Sequence, residues 1–362
     1  MKRILILAND VTTILQFRCE LVTALVQEGH EVVVSVPASD RIPEIEELGA
    51  TVVKTEVSRH GKNPFEDLKL LKSYKRLLKE LKPDIVLSFT IKPNVYGGMA
   101  CGSLKTPCVA NVTGLGVVGD GGIMQKLMLW LYKNGLKKAQ CVFFQNQDNE
   151  RFFREKKIVS GKTELLPGSG VNVDKFAFID YPEEATVNIV FVGRIIKDKG
   201  VFELAEAAKR LADNENLKFT VVGDVEYGAE NPFVTLKNVE CVGFHKDVRP
   251  YLKDAHAIVL PSYHEGMANV LLEAASSGRP ILASDIPGCK ETFDRGVTGL
   301  AFRAKDADSL TAAIEKFVAL PHEQKREMGR AGREKIENEF NRRIVINKYL
   351  KQINIVEMND MR

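Results

Sequence analysis

The chain has 362 residues, of which 44% are hydrophobic and 27% are charged, and its formal net charge is +3. This length usually exceeds one domain, and the composition is typical of a folded globular chain, which excludes a disordered one. The small net charge gives no support for nucleic-acid binding. Since no segment approaches the roughly 20 apolar residues that span a bilayer, any work at a membrane is expected at its surface.

The charge is unevenly distributed along the chain. Residues 1–180 contain 25 Lys and Arg against 20 Asp and Glu (25 − 20 = +5), and the remainder contains 26 against 28 (26 − 28 = −2). The six cysteines are scattered without a CxxC pair, which favours reduced thiols and a cytoplasmic location. The apolar run in MKRILILAND is too short for a signal peptide and predicts a first buried strand instead.

In the first half, short runs rich in Ile, Leu and Val alternate with amphipathic stretches. The runs predict buried parallel strands at 3–8, 31–36, 51–54, 84–89, 107–112 and 141–144. The stretch 16–29 predicts a helix that ends on Gly29. Alternation of this kind predicts a doubly wound α/β layer.

A polar break, YPEEATVN at 181–188, precedes a second series of strands and helices. Its strands are predicted at NIVFVGR from 188, and at 218–224, 256–262, 280–285 and 299–302. The pattern predicts two Rossmann-like domains, 1–180 and 181–340, joined near 175–188 with a deep cleft between them. A final helix over 341–362 closes the second domain or packs back onto the first.

Basic residues follow the first strand of the second half. In VGRIIKDKG, 192–200, Arg194 and Lys199 stand between a strand and a helix, with Gly193 and Gly200 beside them. Ligands of open α/β sheets bind beyond the carboxyl ends of the strands, and a guanidinium with an ammonium can neutralise a pyrophosphate. An ordinary solvated turn is the alternative.

Two glutamates flank a predicted strand-to-helix turn in PSYHEGMANVLLEAASSG, 261–278. The N–H groups of Met267, Ala268 and Asn269 would form a helix N-terminus that suits anionic or sugar oxygens. Eight helical residues rise about 12 Å, so Glu265 and Glu273 cannot share one atom. The spacing excludes a metal-sharing pair and favours a clamp on two separated parts of a long ligand.

Two further stretches have weaker signals. The segment VGFHKDV, 242–248, follows a strand, and its backbone at Phe244 and His245 is a candidate contact for a nucleobase edge, although a plain loop is equally compatible. The pair Asp306 and Asp308 resembles a metal-binding DxD, but it stands where a helix N-cap belongs. We therefore predict capping and no metal site.

The order and spacing of GRIIKDKG, VGD, VGF and LPSYHEGMANVLLE resemble the retaining nucleotide-sugar glycosyltransferases of family GT4, which have the GT-B fold. The resemblance covers essentially the whole chain. The stretches FTIKPNVYGG at 89–98, NVTGLG at 111–116 and QFR at 16–18 are similar to bacterial transferases that extend polyprenyl-diphosphate-linked sugars for capsule, O-antigen or N-glycan assembly.

This resemblance implies a role for each candidate residue. Arg194 and Lys199 would bind the donor diphosphate, Glu265 would face the transferred sugar, and Glu273 would hold the ribose hydroxyls. The remaining donor contacts would come from Gly193, Gly266, Met267, Ala268, Asn269, Val270, Phe244 and His245. The implied reaction is a front-face transfer, in which the departing diphosphate accepts the acceptor's proton and the protein mainly stabilises leaving-group charge.

One departure from the family concerns the end of the fourth strand. Many members place a histidine there, where this chain has Thr90, Ile91 and Lys92, and no histidine occurs between His60 and His245. Polar contacts on the acceptor and sugar side would then come from Arg18, Lys92, Asn94 and Thr113.

The sequence therefore predicts transfer of a hexose or N-acetylhexosamine from a nucleotide sugar, most commonly a UDP sugar, to a lipid-linked saccharide, without a metal or cofactor. A nucleotide-sugar epimerase, a non-catalytic sugar-nucleotide binder and a transferase with a soluble acceptor are the alternatives. The donor sugar, the acceptor glycan and the oligomeric state stay open.

Two basic helical stretches bear on location. Lys69, Lys72, Arg76 and Lys79 share one face of 67–82, and 127–138 adds the only tryptophan and three lysines. Such faces are usually solvated, yet they also suit anionic lipid. Because the basic half is the expected acceptor half, we predict a cytoplasmic protein that is peripheral on the cytoplasmic face of the membrane.

Overall fold

The computed structural model describes residues 1–57, 64–114, 122–183 and 186–360. The chain forms two compact units: Met1–Ser169 together with Arg343–Arg362, and Gly170–Arg342. We call them unit 1 and unit 2. Their division falls earlier in the chain than the expected boundary at 180/181. The residues after 342 belong to unit 1.

Unit 1 is built around a sheet of parallel strands in the order β3-β2-β1-β4-β5-β6-β7. The strands are β1 Arg3–Leu7, β2 Glu31–Val36, β3 Thr51–Lys54, β4 Ile85–Phe89, β5 Cys108–Val112, β6 Cys141–Phe144 and β7 Thr163–Leu165. Its helices are α1 Val11–Phe17, α2 Cys19–Gln27, α3 Ile42–Glu46, α4 Pro64–Leu81, α5 Gly98–Leu104, α6 Ile123–Leu136 and α7 Gln147–Glu155. A π-helical turn, Pro93–Gly97, precedes α5.

Unit 2 repeats the arrangement with a parallel sheet in the order β10-β9-β8-β11-β12-β13. These strands are β8 Val187–Val192, β9 Leu217–Val222, β10 Val239–Gly243, β11 Ala257–Leu260, β12 Ile281–Ser284 and β13 Gly299–Phe302. The helices are α8 Val201–Arg210, α9 Arg249–Lys253, α10 Asn269–Ser276, α11 Ala307–Val318 and α12 His322–Lys335.

The last helix, α13 Arg342–Asp360, packs on unit 1. Its apolar side chains Val345, Tyr349 and Ile353 are buried in the core on one face of that unit's sheet. The Tyr349 ring lies 4.9 Å from the ring of Phe143, measured between centroids. Burial of these side chains holds the end of the chain on the first unit, which is one of the two placements that the sequence left open.

The predicted strands are confirmed, with ends that differ by one or two residues. The sequence missed β7, which has three partly exposed residues and a glutamate at its centre. The predicted helix at 16–29 is broken at Arg18, whose φ of −136° leaves the helical region. Within the described ranges, none of the helices combines the length and apolar character needed to cross a bilayer.

In both sheets the order in which consecutive strands are added reverses at the centre, although all strands stay parallel. β1 lies beside β4 and β8 beside β11, so the connections run outwards on either side of each pair. Segments that leave the carboxyl ends of such a pair diverge to opposite faces, and the crevice between them is where ligands bind in open α/β sheets. Ligand-binding residues are therefore expected directly after β8 and β11 in unit 2, and after β1 and β4 in unit 1.

Candidate functional site

The candidate site in unit 2 forms where β8 and β11 end. Gly193 and Arg194 follow β8, and the segment 261–268 follows β11 and leads into α10. Because neighbouring parallel strands end at the same edge of the sheet, stretches that are far apart in sequence meet here. This placement agrees with the edge predicted for the phosphate-binding residues.

A 3₁₀ turn over Lys197–Lys199 lies directly against the end of β11. Gly200 closes this turn with φ +69°, and a Cβ atom there would come within 2.0 Å of the Pro261 carbonyl oxygen. The N–H of Tyr263 donates to the carbonyl oxygen of Asp198 at an N···O distance of 2.9 Å. A glycine is therefore required for the close approach of the two segments, in addition to any approach of a ligand.

Lys199 and Glu265 form an ion pair in this corner. The lysine Nζ donates to Oε1 of Glu265 at 2.5 Å, and the hydroxyl of Ser262 donates to the same oxygen at 2.7 Å. Both charged side chains are mostly buried, with 23% and 13% of their surfaces exposed. Burial, reinforced by the Glu265 charge, raises the pKa of the neighbouring Cys289 thiol. The pair is a preorganised cation and carboxylate at the carboxyl edge of the sheet.

Arg194 is held at the surface by a second carboxylate. Its Nη1 donates to Oε2 of Glu226 at 2.7 Å, and the two side chains are 63% and 47% exposed. The N–H of Gly193 donates to the carbonyl of Val222 over 3.0 Å, so this amide continues the sheet. The guanidinium therefore lies within a surface ion pair that a stronger anion can displace, since exposed pairs contribute little free energy.

The N-terminus of α10 differs in detail from the prediction. The helix begins at Asn269, and the N–H of Ala268 donates to the carbonyl of Gly288 over 2.8 Å. The predicted ligand contact through the Ala268 amide is therefore wrong for this conformation, because its donor is already used. Gly266, Met267 and Val270 stay predicted contacts. The side-chain Oδ1 of Asn269 is buried and has no hydrogen-bond partner among the described residues, which marks it as an available acceptor.

The loop after β12 supports this turn, and its only signal in the sequence is the Pro-Gly pair at 287–288. Gly288 has φ +86°, and a Cβ atom there would lie 2.6 Å from the carbonyl oxygen of Glu265. The N–H of Gly288 donates to Oε2 of Glu291 at 2.7 Å. Glu291 thus fixes the turn that receives the Ala268 amide, and Ser262 fixes the Glu265 carboxylate.

Glu273 lies in the last turns of α10. Neighbouring atoms crowd its carboxyl group although the residue keeps some exposed surface, and this burial raises its pKa from 4.5 to about 7. The positive charges of Arg342 and Lys175 act in the opposite direction with smaller effect. Its carboxylate forms no hydrogen bond with another described residue. A crowded, weakly solvated carboxylate of this kind can accept two hydrogen bonds from a ligand diol.

The predicted nucleobase contacts at 244 and 245 are only partly available. The N–H of Phe244 donates to Oδ1 of Asp224 at 3.0 Å, so this donor is already satisfied. A base contact through the backbone carbonyl of Phe244 stays a prediction. The Phe244 ring is 64% exposed. The His245 ring nitrogen Nε2 lies 3.1 Å from the Val242 carbonyl oxygen, and its ring lies 4.9 Å from that of Tyr251.

In unit 1 the structure argues against two of the predicted acceptor contacts. Asn94 is fully buried, where Ser88 donates to its Oδ1 at 2.8 Å and its Nδ2 donates to the Asn111 carbonyl at 2.7 Å. Arg18 is only 2% exposed, and its guanidinium lies 4.7 Å above the centre of the Phe89 ring. Both side chains hold the carboxyl edge of the sheet together, so a structural role replaces the predicted ligand contact.

Lys92 and Thr113 stay predictions, at the ends of β4 and β5. Lys92 pairs with Asp67 at 2.8 Å, and the Tyr96 hydroxyl donates to the other carboxylate oxygen at 2.8 Å. Thr90, the first residue after β4, has φ +70°, which is costly for a β-branched residue. Its buried hydroxyl has no partner among the residues described. The structure thus adds Thr90 to the candidate residues of this edge.

The capping prediction for Asp306 is confirmed. Its carboxylate accepts a hydrogen bond from the Ser309 N–H at 2.8 Å at the start of α11, and Asp308 pairs with Arg210. In the part of the chain that the structure describes, no group of three or more His, Cys, Asp or Glu residues is placed to hold a metal ion.

Both units match known protein families. Residues 3–146 match the description "Glycosyl transferase 4-like", and residues 186–319 match "Glycosyl transferases group 1". A relative from Campylobacter jejuni, "N,N'-diacetylbacillosaminyl-diphospho-undecaprenol alpha-1,3-N-acetylgalactosaminyltransferase", is 32% identical over 336 residues, 86% of this chain and 88% of the relative. A relative from Escherichia coli, "UDP-Gal:alpha-D-GlcNAc-diphosphoundecaprenol alpha-1,3-galactosyltransferase", is 29% identical over 272 residues, which are 69% of this chain and 70% of the relative.

Solved structures agree with the fold. A glycosyltransferase from Rickettsia africae superimposes with a TM-score of 0.83 at 19% identity, over 99% of each chain. An Anabaena protein solved "in complex with UDP and glucose" gives 0.78 at 17% identity, over 97% of this chain and 99% of its own. The chain is therefore a GT-B enzyme of the α/β class, and it belongs to the GT4-type, group 1 glycosyltransferases.

Proposed function

We propose that this glycosyltransferase moves a hexose or N-acetylhexosamine from a UDP sugar to a polyprenyl-diphosphate-linked saccharide, with retention of configuration. The observation that supports it most directly is the Lys199–Glu265 pair, which lies at the switch point of the unit 2 sheet beside the start of α10. The Campylobacter and Escherichia relatives are named for activity on undecaprenol-diphosphate sugars, which supports the acceptor class.

The donor diphosphate would lie between the segments that follow β8 and β11. An ammonium has three N–H groups, and Lys199 gives one of them to Glu265, so it can donate to phosphate oxygens without losing that carboxylate. Arg194 would exchange Glu226 for a phosphate, a better bidentate partner. The N–H groups of Asn269 and Val270, in the first turn of α10, would add partial positive charge.

Two carboxylates would then hold the two ends of the donor. Glu273 would accept hydrogen bonds from the ribose hydroxyls, and Glu265 would accept one from the transferred sugar through the oxygen that Lys199 and Ser262 leave available. The unpartnered Oδ1 of Asn269 offers a further acceptor for a sugar hydroxyl. Because Glu265 is already engaged by a cation and a hydroxyl, it is better suited to orient the sugar than to attack it.

The chemical step would depend on stabilisation of the leaving diphosphate. As the bond from the anomeric carbon to phosphate oxygen breaks, negative charge builds on that phosphate, and Lys199, Arg194 and the helix amides would stabilise it. The acceptor hydroxyl would attack from the same face and pass its proton to the departing phosphate oxygen. In this scheme no metal and no cofactor takes part, so excess chelator is expected to leave turnover unchanged.

The acceptor side is assigned to unit 1 and to the cytoplasmic surface of a membrane. Thr90, Lys92 and Thr113 follow β4 and β5 at the carboxyl edge of that unit, where polar groups can meet a saccharide. A lipid-linked acceptor resides in a bilayer, so the enzyme would work peripherally at the membrane surface.

A screen of nucleotide sugars with the purified protein tests this proposal, with and without a polyprenyl-diphosphate-linked saccharide. Nucleoside diphosphate release that requires the lipid-linked acceptor is the expected result. Conversion of the nucleotide sugar in the absence of acceptor would point to an epimerase instead. Release with a free saccharide and none with the lipid-linked one would point to a soluble acceptor.

A further inference from the structure

Helix α6 in unit 1 exposes apolar and basic side chains on the same face. Leu127 is 47% exposed and Trp130 is 58% exposed, whereas Tyr132 and Leu136 on the opposite side are buried in the core. The exposed face also contains the lysines Lys126, Lys133 and Lys137. A helix that already buries one apolar face has no folding reason to present a second one to water, so this face suggests a partner.

The charge around α6 is uncompensated in the sequence itself. Between residues 121 and 147 the chain has four lysines, at 126, 133, 137 and 138, and no aspartate or glutamate. Elsewhere in the described chain, exposed basic residues commonly stand beside an acid, as in the pair of Arg194 with Glu226. A run of lysines without acids produces a local positive field that attracts a surface of negative charge.

The beginning of α4 adds a second exposed apolar group. Phe65 is 81% exposed and Leu68 is 49% exposed, with Lys69 and Lys72 one turn further along. Lys69 pairs with Glu56 at 2.8 Å, an exposed ion pair that a lipid phosphate can replace, since exposed pairs contribute little free energy. Helices α4 and α6 belong to the same layer, because both pack on the π-helical turn Pro93–Gly97 and contribute to one core on one face of the sheet. Each follows a parallel strand and returns antiparallel to the sheet, so both begin towards the carboxyl edge.

We propose that this α4/α6 surface, defined by Phe65, Leu68, Leu127, Trp130 and their neighbouring lysines, binds an anionic lipid bilayer. The apolar side chains enter the headgroup region while the lysines contact lipid phosphates, the arrangement of helices that lie in a membrane interface. The inference rests on the proposed function, because a lipid-linked acceptor requires the enzyme at a bilayer. It goes further by naming the contact surface and the lipid charge that it recognises.

The only tryptophan of the chain lies on this surface and is a built-in reporter. Wild-type protein is mixed with vesicles of phosphatidylcholine alone, or of equal parts phosphatidylcholine and phosphatidylglycerol. With the anionic vesicles the Trp130 emission is expected to shift to the blue, to be quenched by brominated lipid, and to return when salt is raised. Neutral vesicles are expected to leave the emission nearly unchanged.

A charge variant that keeps the reporter gives the quantitative test. Each interfacial lysine contributes roughly fivefold to anionic-membrane affinity, so Lys126→Gln with Lys133→Gln is expected to weaken vesicle binding on the order of 25-fold. The matched control is Lys218→Gln with Lys237→Gln, two exposed lysines of unit 2, and should bind like wild type. Equal binding of both double variants, or no vesicle response of Trp130, would overturn the proposal, the latter leaving a protein partner as the occupant.

The transfer assay separates this proposal from the proposed function. With the lipid-linked acceptor dispersed in detergent, the α6 double variant is expected to turn over like wild type, because its lysines lie outside the candidate site. If wild-type protein turns over in detergent but does not bind vesicles, the proposed membrane-binding surface is wrong and the proposed transferase activity is unaffected. If wild-type protein binds vesicles but turns over no nucleotide sugar, the proposed transferase activity is wrong and the membrane-binding surface is unaffected.

Discussion

Replacing Glu273 by glutamine should stabilise unit 2 at alkaline pH and weaken donor binding at the same time. Burial raises the pKa of this carboxyl from 4.5 to about 7, which means that the folded state holds a proton that the unfolded chain has released. The folded state is therefore penalised as the pH rises through this window, and the full penalty is present above about pH 7. The difference of about 2.5 pKa units corresponds to about 3 kcal/mol.

Glutamine keeps the shape of the side chain and removes the charge. Glu273→Gln should therefore raise the free energy of unfolding by up to about 3 kcal/mol at pH 8, with the gain shrinking towards zero near pH 4.5. For a unit of this size such a change corresponds to roughly 6 °C or more in Tm. The measurement is thermal unfolding of variant and wild type between pH 5 and pH 8, reported as the difference between them.

A matched control and a second readout make this result specific. Glu240→Gln removes the same charge from an exposed position in β10 and should change stability little at any pH. In parallel, calorimetric titration with UDP should show weaker binding to Glu273→Gln at pH 8, because an amide is uncharged and has one acceptor oxygen where the carboxylate offers two to the ribose hydroxyls. A variant that is no more stable than wild type at pH 8 would refute the desolvation argument. Unchanged UDP affinity would refute the ribose contact.

Three further predictions concern the surrounding turn. Lys199→Ala should lower kcat by roughly 10²- to 10³-fold, whereas Lys197→Ala, an exposed neighbour, should stay near wild type; equal rates would contradict the leaving-group role. Glu226→Gln removes the ion-pair partner of Arg194, so UDP binding should tighten by up to roughly fivefold at low salt. Weaker UDP binding would show instead that the ion pair positions Arg194. Gly288→Ala should lower both Tm and kcat more than Gly296→Ala, which has a similar positive φ but open space around its Cβ; equal losses would mean that the close contact is unimportant.

Much of the fold was predictable because its strands are local features of the sequence. Fully buried parallel strands read as short runs of Ile, Leu and Val, and the runs at 31–36 and 141–144 coincide with β2 and β6. β7 was not predicted, because an edge strand of three residues with a central glutamate has no such pattern. The break at Arg18 was not predicted; in the structure the guanidinium of this residue lies over the Phe89 ring, a contact between segments far apart in the sequence.

The candidate site was predictable only at the level of which edge it occupies. Arg194, Lys199, Glu265 and Glu273 were all placed on strand ends or the following helix by pattern. Their partners depend on the order of strands in the sheet. The ion pair of Lys199 with Glu265 and the hydrogen bond from the Ala268 amide to the loop after β12 each join different strand ends. Asn94 donates to the carbonyl of Asn111, which lies in the next strand. Hydropathy and spacing contain no information on such pairings.

The anomeric configuration of the product tests the central claim most directly. A UDP sugar that is turned over with the polyprenyl-diphosphate-linked saccharide is followed by proton NMR, and the coupling at the new anomeric centre is compared with that of the donor. The account predicts an α-linked product from an α-linked donor, formed only when the acceptor is present. A β-linked product would contradict front-face transfer with leaving-group stabilisation by Lys199 and Arg194, and the roles given to Glu265 and the start of α10 would then have to be reassigned.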